Sequence, residues 1–309
     1  MTSERKVVAI TGASRGVNTI PGMPCIHHDH YDIDGIRVER FTTAPKDAAQ
    51  RPPLIRVHGG CHASWSWQEH APVYAAAGYE VHALNWRGRG GSAAINDDSF
   101  VNMSIADVVD DIEKVARCFD TPPVLIGHSM GGLAAQLYAS AHEVGALVLL
   151  TPVVSSNVGA TPHELPIGDM DAPWGPPPLD VARQMFFQGL DDMQAARFYA
   201  LLVPESPLRV YEATRGSLAV DATKLTAPIL IVSGALDILT PPETGAALAA
   251  LYGATYQLEP AHGHNVLLGE GARRIAEDVI AWIVGRLARL DPDSIKSQPG
   301  RRASTVASR

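Results

Sequence analysis

The chain has 309 residues, 46% of them apolar and 19% charged, and a formal net charge of −8. That is the balance of a globular protein able to bury a substantial core. The negative charge counts against nucleic acid or anionic lipid as a main partner, since both are bound through clustered positive charge.

Residues 1–30 read as an N-terminal extension. Their start carries charge but only a short apolar patch, which makes a poor signal peptide and points to a cytoplasmic protein. TGASRG (11–16) resembles the opening of short-chain dehydrogenases. Asn18 stands where the later glycine of that fingerprint belongs, Pro21 and Pro24 interrupt the helix that should follow, and no Tyr-x-x-x-Lys pair occurs. Dinucleotide binding is therefore not expected. His27-His28-Asp29-His30 reads as a polar segment before the first strand, because adjacent ligands rarely close a tetrahedral metal site alone. Cys25, Cys61 and Cys118 show no Cys-x-x-Cys spacing and give neither a disulfide framework nor a zinc signature. No metal is expected.

YDIDGIRVERFTT (31–43) reads as a hairpin turning at Asp34-Gly35. A regular alternation begins near residue 53. LIRV (54–57) is a short buried strand, a helix near 68–77 stops at Gly78, and EVHAL (80–84) is the next strand. Residues 104–119 form the clearest helix, with Ser104 as its cap and an apolar stripe at helical spacing. PVLIG (123–127) is a strand, 130–141 a helix, and ALVLLT (146–151) another strand. Wholly apolar runs of this kind belong to a parallel sheet buried on both faces.

The alternation then breaks. Residues 152–226 are Pro-rich and afterwards helical in pattern, and they read as a helical cap inserted into the sheet domain. Strand character returns at PILIVS (228–233), followed by a helix at 243–251, a strand at 254–258 and a last helix at 272–290. The tail 291–309 lacks a core-forming pattern and is expected to be disordered. Its Arg301-Arg302-Ala303-Ser304 looks like a basic kinase site, a cheap match in such a segment. No run approaches the ~18 apolar residues of a membrane span.

The strongest motif is Gly127-His128-Ser129-Met130-Gly131-Gly132, a Gly-x-Ser-x-Gly between an apolar strand and a helix. The turn is tight enough that side chains at the flanking positions would collide with the neighbouring strand and helix. It holds a serine hydroxyl at a helix N-terminus, where amides favour negative charge. A serine needs a base, and the order Ser…Asp…His places Asp237 and His264 beyond two later strands. His262 competes with His264 for the role. An oxyanion hole needs two amides. Met130, after the nucleophile, supplies one, and the His58-Gly59-Gly60-Cys61-His62 loop supplies the other through Gly60, with Cys61 as the fallback.

HGGCHASWSW, VHALNWRGRGGS, GHSMGG, SGALDILTPPE and AHGHNVLL together resemble the serial landmarks of the α/β-hydrolase superfamily across roughly residues 31–290. The opening HGxxHxxWxW is similar to the branch of plant-type methylesterases and hydroxynitrile lyases and their bacterial relatives. The resemblance implies an α/β-hydrolase fold, a triad of Ser129, Asp237 and His264, oxyanion amides from Gly60 and Met130, and no cofactor. Two departures count against lyase activity: Gly59 replaces the threonine that follows the loop histidine, and no lysine lies near His264.

Acyl transfer to water is therefore the expected chemistry, on a small and apolar ester, thioester or lactone. Carbon–carbon hydrolysis, perhydrolysis and cofactor-free dioxygenation are the alternatives on the same scaffold. NWRGRG keeps the last of these open. A non-catalytic receptor on the same fold is the rival from another class. Cys61 and Trp65 are candidates to line the substrate pocket, and Trp65 and Trp67 could equally pack the first helix. Met185, Phe186, Phe187, Phe198 and Tyr199 either roof it or hold the cap helices together.

Overall fold

A computed structural model describes residues 24–43, 51–159 and 164–290. TGASRG and the tail 291–309 lie outside the described residues. Among the described residues no helix is long and apolar enough to cross a membrane.

Eight strands form one sheet: β1 (Ile26–Ile33), β2 (Ile36–Thr43), β3 (Leu54–Val57), β4 (Val81–Leu84), β5 (Val124–His128), β6 (Ala146–Leu150), β7 (Ile229–Gly234) and β8 (Thr255–Glu259). Their spatial order is β1-β2-β4-β3-β5-β6-β7-β8. β1 and β2 make an antiparallel hairpin, β2 joins β4 antiparallel, and every later pairing is parallel. β1 begins at Ile26, so the expected boundary at residue 30 falls inside a strand. Its His-His-Asp-His stretch is held by cross-strand pairs: His28 bonds Glu39 at 2.8 Å and Asp29 takes Arg40 Nε at 2.8 Å. Polar residues suffice there because the hairpin is a sheet edge with half-exposed side chains.

β3 to β7 are buried at every position. Alternate residues feed two cores. Leu54, Val124, Ile126 and Val148 pack with Ile275 and Val279 of α9 (Ala272–Leu290) and with α1 (Ala71–Ala76). Ile55, Leu125 and Leu147 pack with α3 (Val108–Ala116) and α4 (Met130–Ala139), and with Leu248 of α8 (Pro242–Tyr252). Between α1 and α3 lies the short α2 (Asp97–Phe100), capped by Asn96. Between β6 and β7 run α5 (Leu179–Phe186), α6 (Asp192–Tyr199) and α7 (Pro207–Arg215). The described residues of that segment contribute no strand to the sheet and one isolated bridge, Trp174 to Glu205.

α3 starts at Val108, four residues after the expected cap. Ser104 caps the turn before it instead: its hydroxyl accepts the Ala106 amide at 3.0 Å and donates to Glu212 at 2.7 Å, and its own amide donates to Asp107 at 2.7 Å. A second departure sits in the middle of LIRV. Arg56 is fully buried, its guanidinium lying 4.2 Å from the centre of the Trp67 ring and 4.1 Å from that of Tyr74. Cation–π contact on two rings compensates part of its lost hydration, and burial lowers its pKa to about 10.

Besides His264, five histidines among the described residues are buried: His58, His62, His70, His82 and His128. Burial is the largest cause of a lowered pKa in each, to about 4 for His62, to about 3 for His70 and His82, and well below the ordinary value for His58 and His128. All five are thus neutral when folded, whereas the unfolded chain protonates them near pH 6.5. The unfolded state then binds more protons, and stability falls as pH is lowered from 6.5 towards 4. Each such group adds a slope of about 1.4 kcal/mol per pH unit in that window. Urea titrations at stepped pH should show a midpoint that is level above neutrality and drops steeply below pH 6.5. A midpoint that is the same at pH 7 and pH 5 would contradict the assignment.

Candidate active site

The site lies where the parallel strands end at their carboxyl edge. β5 ends at His128, and the next residue, Ser129, turns the chain directly into α4. Ser129 has φ 53° and ψ −122°, a region that L side chains rarely occupy. Three glycines make the turn possible. A Cβ on Gly127 would lie 2.4 Å from the Gly131 carbonyl oxygen. One on Gly131 would lie 2.2 Å from that of His58, and one on Gly132 would lie 2.9 Å from Pro152 Cβ. The strand, the helix and the end of β3 are therefore in backbone contact.

Asp237 follows β7 and His264 follows β8. The structure brings them together: His264 Nδ1 donates to Asp237 Oδ2 at 2.9 Å, and both side chains are buried. The remaining capacity of the carboxylate is filled by the amides of Leu239 (2.8 Å) and Thr240 (3.0 Å) and the Thr240 hydroxyl (2.7 Å). With its proton on Nδ1, the imidazole presents a bare Nε2. The His264 backbone is fixed as well. Its carbonyl accepts from the Thr151 hydroxyl (2.8 Å) and His128 Nε2 (3.2 Å), and its amide donates to Gln188 Oε1 (3.1 Å). Gln188 Nε2 donates in turn to the Leu236 carbonyl (3.3 Å), so one carboxamide spans the loops that carry Asp237 and His264. His262 points elsewhere, with Nε2 on the Glu270 carbonyl at 2.9 Å.

Ser129 and His264 border one cavity with Gly60, Cys61 and Met130. Gly60 faces Met130 closely, since a Cβ on Gly60 would lie 2.6 Å from the thioether sulfur. The Met130 amide is at the first position of α4, where helix amides lack intrahelical acceptors. Of the two loop amides, that of Cys61 is already committed, donating to Glu205 at 3.1 Å. This leaves Gly60 as the loop amide available to a ligand. Val153, Leu165, Trp174, Phe186, Val210 and Leu239 form the apolar wall, Thr214 and Thr240 are its hydroxyl-bearing residues, and His264 is the one titratable nitrogen side chain among the lining residues.

Trp65 is not among the residues bordering this cavity. It stacks on His62 (ring centroids 5.1 Å) and on Phe198 (5.9 Å), the packing role that the sequence also allowed it. Of the expected aromatic roof, Phe186 reaches the cavity, whereas Met185, Phe187 and Phe198 pack in the core between helices and sheet. Thr240, Gln188 and Glu205 were not singled out from the sequence. Thr240, three residues after Asp237, carries the signature of a side-chain-capped turn. The other two have no local signal, because their partners lie far along the chain.

The chain belongs to the α/β-hydrolase family, whose model matches residues 57–278, more than half of its length. Monoacylglycerol lipase of Mycolicibacterium smegmatis is 24% identical over 277 residues, which cover 84% of this chain and 97% of that protein. Protein phosphatase methylesterase 1 of Mus musculus is 32% identical over 105 residues, 33% of this chain and 27% of that protein. The crystal structure of Paleococcus ferrophilus monoacylglycerol lipase matches with a TM-score of 0.61 at 20% identity, over 81% of this chain and 99% of that one. A likeness at that identity speaks for the fold alone.

The backbone at Ser129 stores strain that glycine would relieve and alanine would not, of about 1–3 kcal/mol. Ser129→Gly should therefore be more stable than Ser129→Ala by at least about 1 kcal/mol in chemical denaturation. Equal stabilities would show that the turn is unstrained.

Proposed function

We propose that the protein is a serine hydrolase that cleaves a carboxylic ester, or a related thioester or lactone, through an acyl-enzyme on Ser129. The observation that carries this reading is the buried His264–Asp237 pair, bonded at 2.9 Å and sharing one cavity with a serine on a strained strand–helix turn. In this scheme His264 Nε2 takes the proton of Ser129 as its oxygen attacks the carbonyl. Asp237 holds the ring in the required tautomer and stabilises the imidazolium. The Gly60 and Met130 amides receive the oxyanion. His264 returns its proton to the leaving alcohol, and a water activated by the same nitrogen then releases the acid. The scheme asks for nothing beyond the chain, the substrate and water.

The residues between β6 and β7 act as a cap that shapes the pocket. Its apolar wall favours a neutral substrate, because a carboxylate buried there would lose its hydration with no cation to replace it. The relatives named as lipase and methylesterase support ester chemistry. NWRGRG gives no separate support to an oxygenase. Asn85 accepts the Ser64 amide at 2.8 Å, Arg87 pairs with Asp111 at 2.6 Å, and Arg89 pairs with Glu205, so Asn85, Arg87 and Arg89 each have a structural partner.

A fluorophosphonate probe should label the protein, and Ser129→Ala should lose the label together with about 10⁴-fold or more of p-nitrophenyl ester turnover. Esters of neutral acyl chains should be preferred by at least about tenfold over one whose chain ends in a carboxylate. Retained turnover in folded Ser129→Ala would overturn the mechanism, and indifference to the terminal charge would overturn the account of the pocket.

A further inference from the structure

Residues 203–206, between α6 and α7, lie against the loop that follows β3. The Val203 amide donates to the Cys61 carbonyl at 3.0 Å, and the Cys61 amide donates to Glu205 Oε2 at 3.1 Å. Both peptide groups of Cys61 are thus tied to the segment between β6 and β7. The carbonyl of Gly60, at the other end of the Gly60–Cys61 peptide, accepts from His62 Nδ1 at 2.7 Å. This peptide is gripped at its N–H and at its C=O. Cys61 is held at φ 60°, a left-handed backbone that a non-glycine residue keeps only where its surroundings enforce it.

Glu205 itself is fully buried. Arg89 grips it as a fork, at 2.7 and 2.8 Å, Arg209 adds a bond at 3.2 Å, and the Ser206 amide another at 2.9 Å. Burial opposes its charge, but the two guanidinium groups outweigh burial and hold the carboxyl well below the ordinary carboxylate range. Arg89 also reaches the His62 carbonyl at 3.4 Å. Such an ionic cluster is no better for stability than apolar packing of the same volume, and its best-attested use is to fix one arrangement among several. Here the element in need of fixing is evident. The loop amide bordering Ser129 belongs to Gly60, which follows Gly59, and two successive glycines have little backbone preference of their own. The Gly59 carbonyl, in the peptide that carries the Gly60 N–H, accepts from His58 Nδ1 at 2.8 Å and from the His62 amide at 3.3 Å, and the peptide that follows is fixed through Cys61. With the Cys61 N–H bonded to Glu205, a flipped Gly60–Cys61 peptide would turn its carbonyl oxygen towards a carboxylate.

We propose that Glu205 is a positioning residue for the oxyanion hole: from the segment between β6 and β7 it holds the Gly60–Cys61 peptide in place and so keeps the Gly60 amide aimed at the oxygen developing on the substrate. The proposal rests on the acyl-enzyme reading of Ser129. Glu205 touches no reacting atom and acts through Cys61.

The test is Glu205→Gln, which keeps the shape and one acceptor oxygen but turns an NH2 group towards donors. Turnover of p-nitrophenyl acetate should fall in kcat by about 10- to 100-fold, short of or equal to the loss of a whole oxyanion donor. KM should stay within about threefold. A trifluoromethyl ketone, whose adduct with a serine places an oxyanion in the hole, should lose affinity by the same factor as kcat. A residue that only anchors the fold would lower the unfolding midpoint and leave kcat and ketone affinity of the folded enzyme unchanged. Folded Glu205→Gln with kcat within about twofold and unchanged ketone affinity overturns the proposal. If Glu205→Gln does not fold, Arg89→Lys decides. It replaces the fork by one ammonium and should cost kcat about three- to tenfold with KM unaltered, and full kcat in that variant overturns the proposal equally. Ser129→Ala is run in parallel: turnover retained there means that the acyl-enzyme reading has failed, a result distinct from either outcome at Glu205.

Discussion

The candidate site depends on a contact between backbones. At the carboxyl edge of the sheet the first turn of α4 lies so close to the end of β3 that a methyl group on Gly131 would sit 2.2 Å from the His58 carbonyl oxygen. Such closeness is open only to glycine. It sets the loop after β3 beside the start of α4, so the Gly60 amide and the helix-terminal Met130 amide come to border the same cavity. It also forces the turn at Ser129 into its strained conformation, and the two cores above and below the sheet supply the packing energy that keeps it there. A looser approach would relax the serine and separate the amides together.

Around this contact, polar bonds replace packing as the means of alignment. Asp237 and His264 sit on loops after edge-ward strands, where the sheet alone would leave them free. They are held by Thr240, Thr151, His128 and Gln188. His128 serves here because it is neutral: burial keeps its imidazole uncharged, so one nitrogen donates to the His264 carbonyl without setting a second positive charge beside the pair. Neutral His62 does the same for the Gly60 carbonyl. The buried histidines are thus hydrogen-bonding parts whose usefulness depends on staying unprotonated.

The sheet was legible from the sequence because parallel strands buried on both faces must be apolar throughout, and VLIGH, ALVLL and ILIVSG leave no other economical reading. The serine turn was legible because its chemistry needs glycines at fixed offsets. Legibility ended where a partner lies far along the chain. IHHDH is held as a strand by Glu39 and Arg40 across from it, and the turn before α3 is tied to Glu212, which takes the Ser104 hydroxyl and the Ile105 amide. Trp65 follows the loop that borders the cavity, yet its neighbours His62 and Phe198 hold it against the core. Arg56 in LIRV breaks the apolar run, and only the rings of Trp67 and Tyr74 explain how the strand tolerates it.

The same distance problem hides what joins the pocket wall to the candidate site. The segment between β6 and β7 forms much of the pocket wall, with Trp174, Phe186 and Val210. It also reaches into both halves of the site: Gln188 bonds the loops of His264 and Asp237, and Glu205 bonds the loop of Gly60. Trp174 and Glu205 are even bonded to each other through their backbones, at 2.8 and 2.9 Å. A change that reshapes the wall near Trp174 therefore strains the bond that holds Cys61. In the proposed mechanism substrate preference and rate share one piece of chain, and the wall can vary at Ala213, on the last turn of α7, with less effect on alignment than at 203–206.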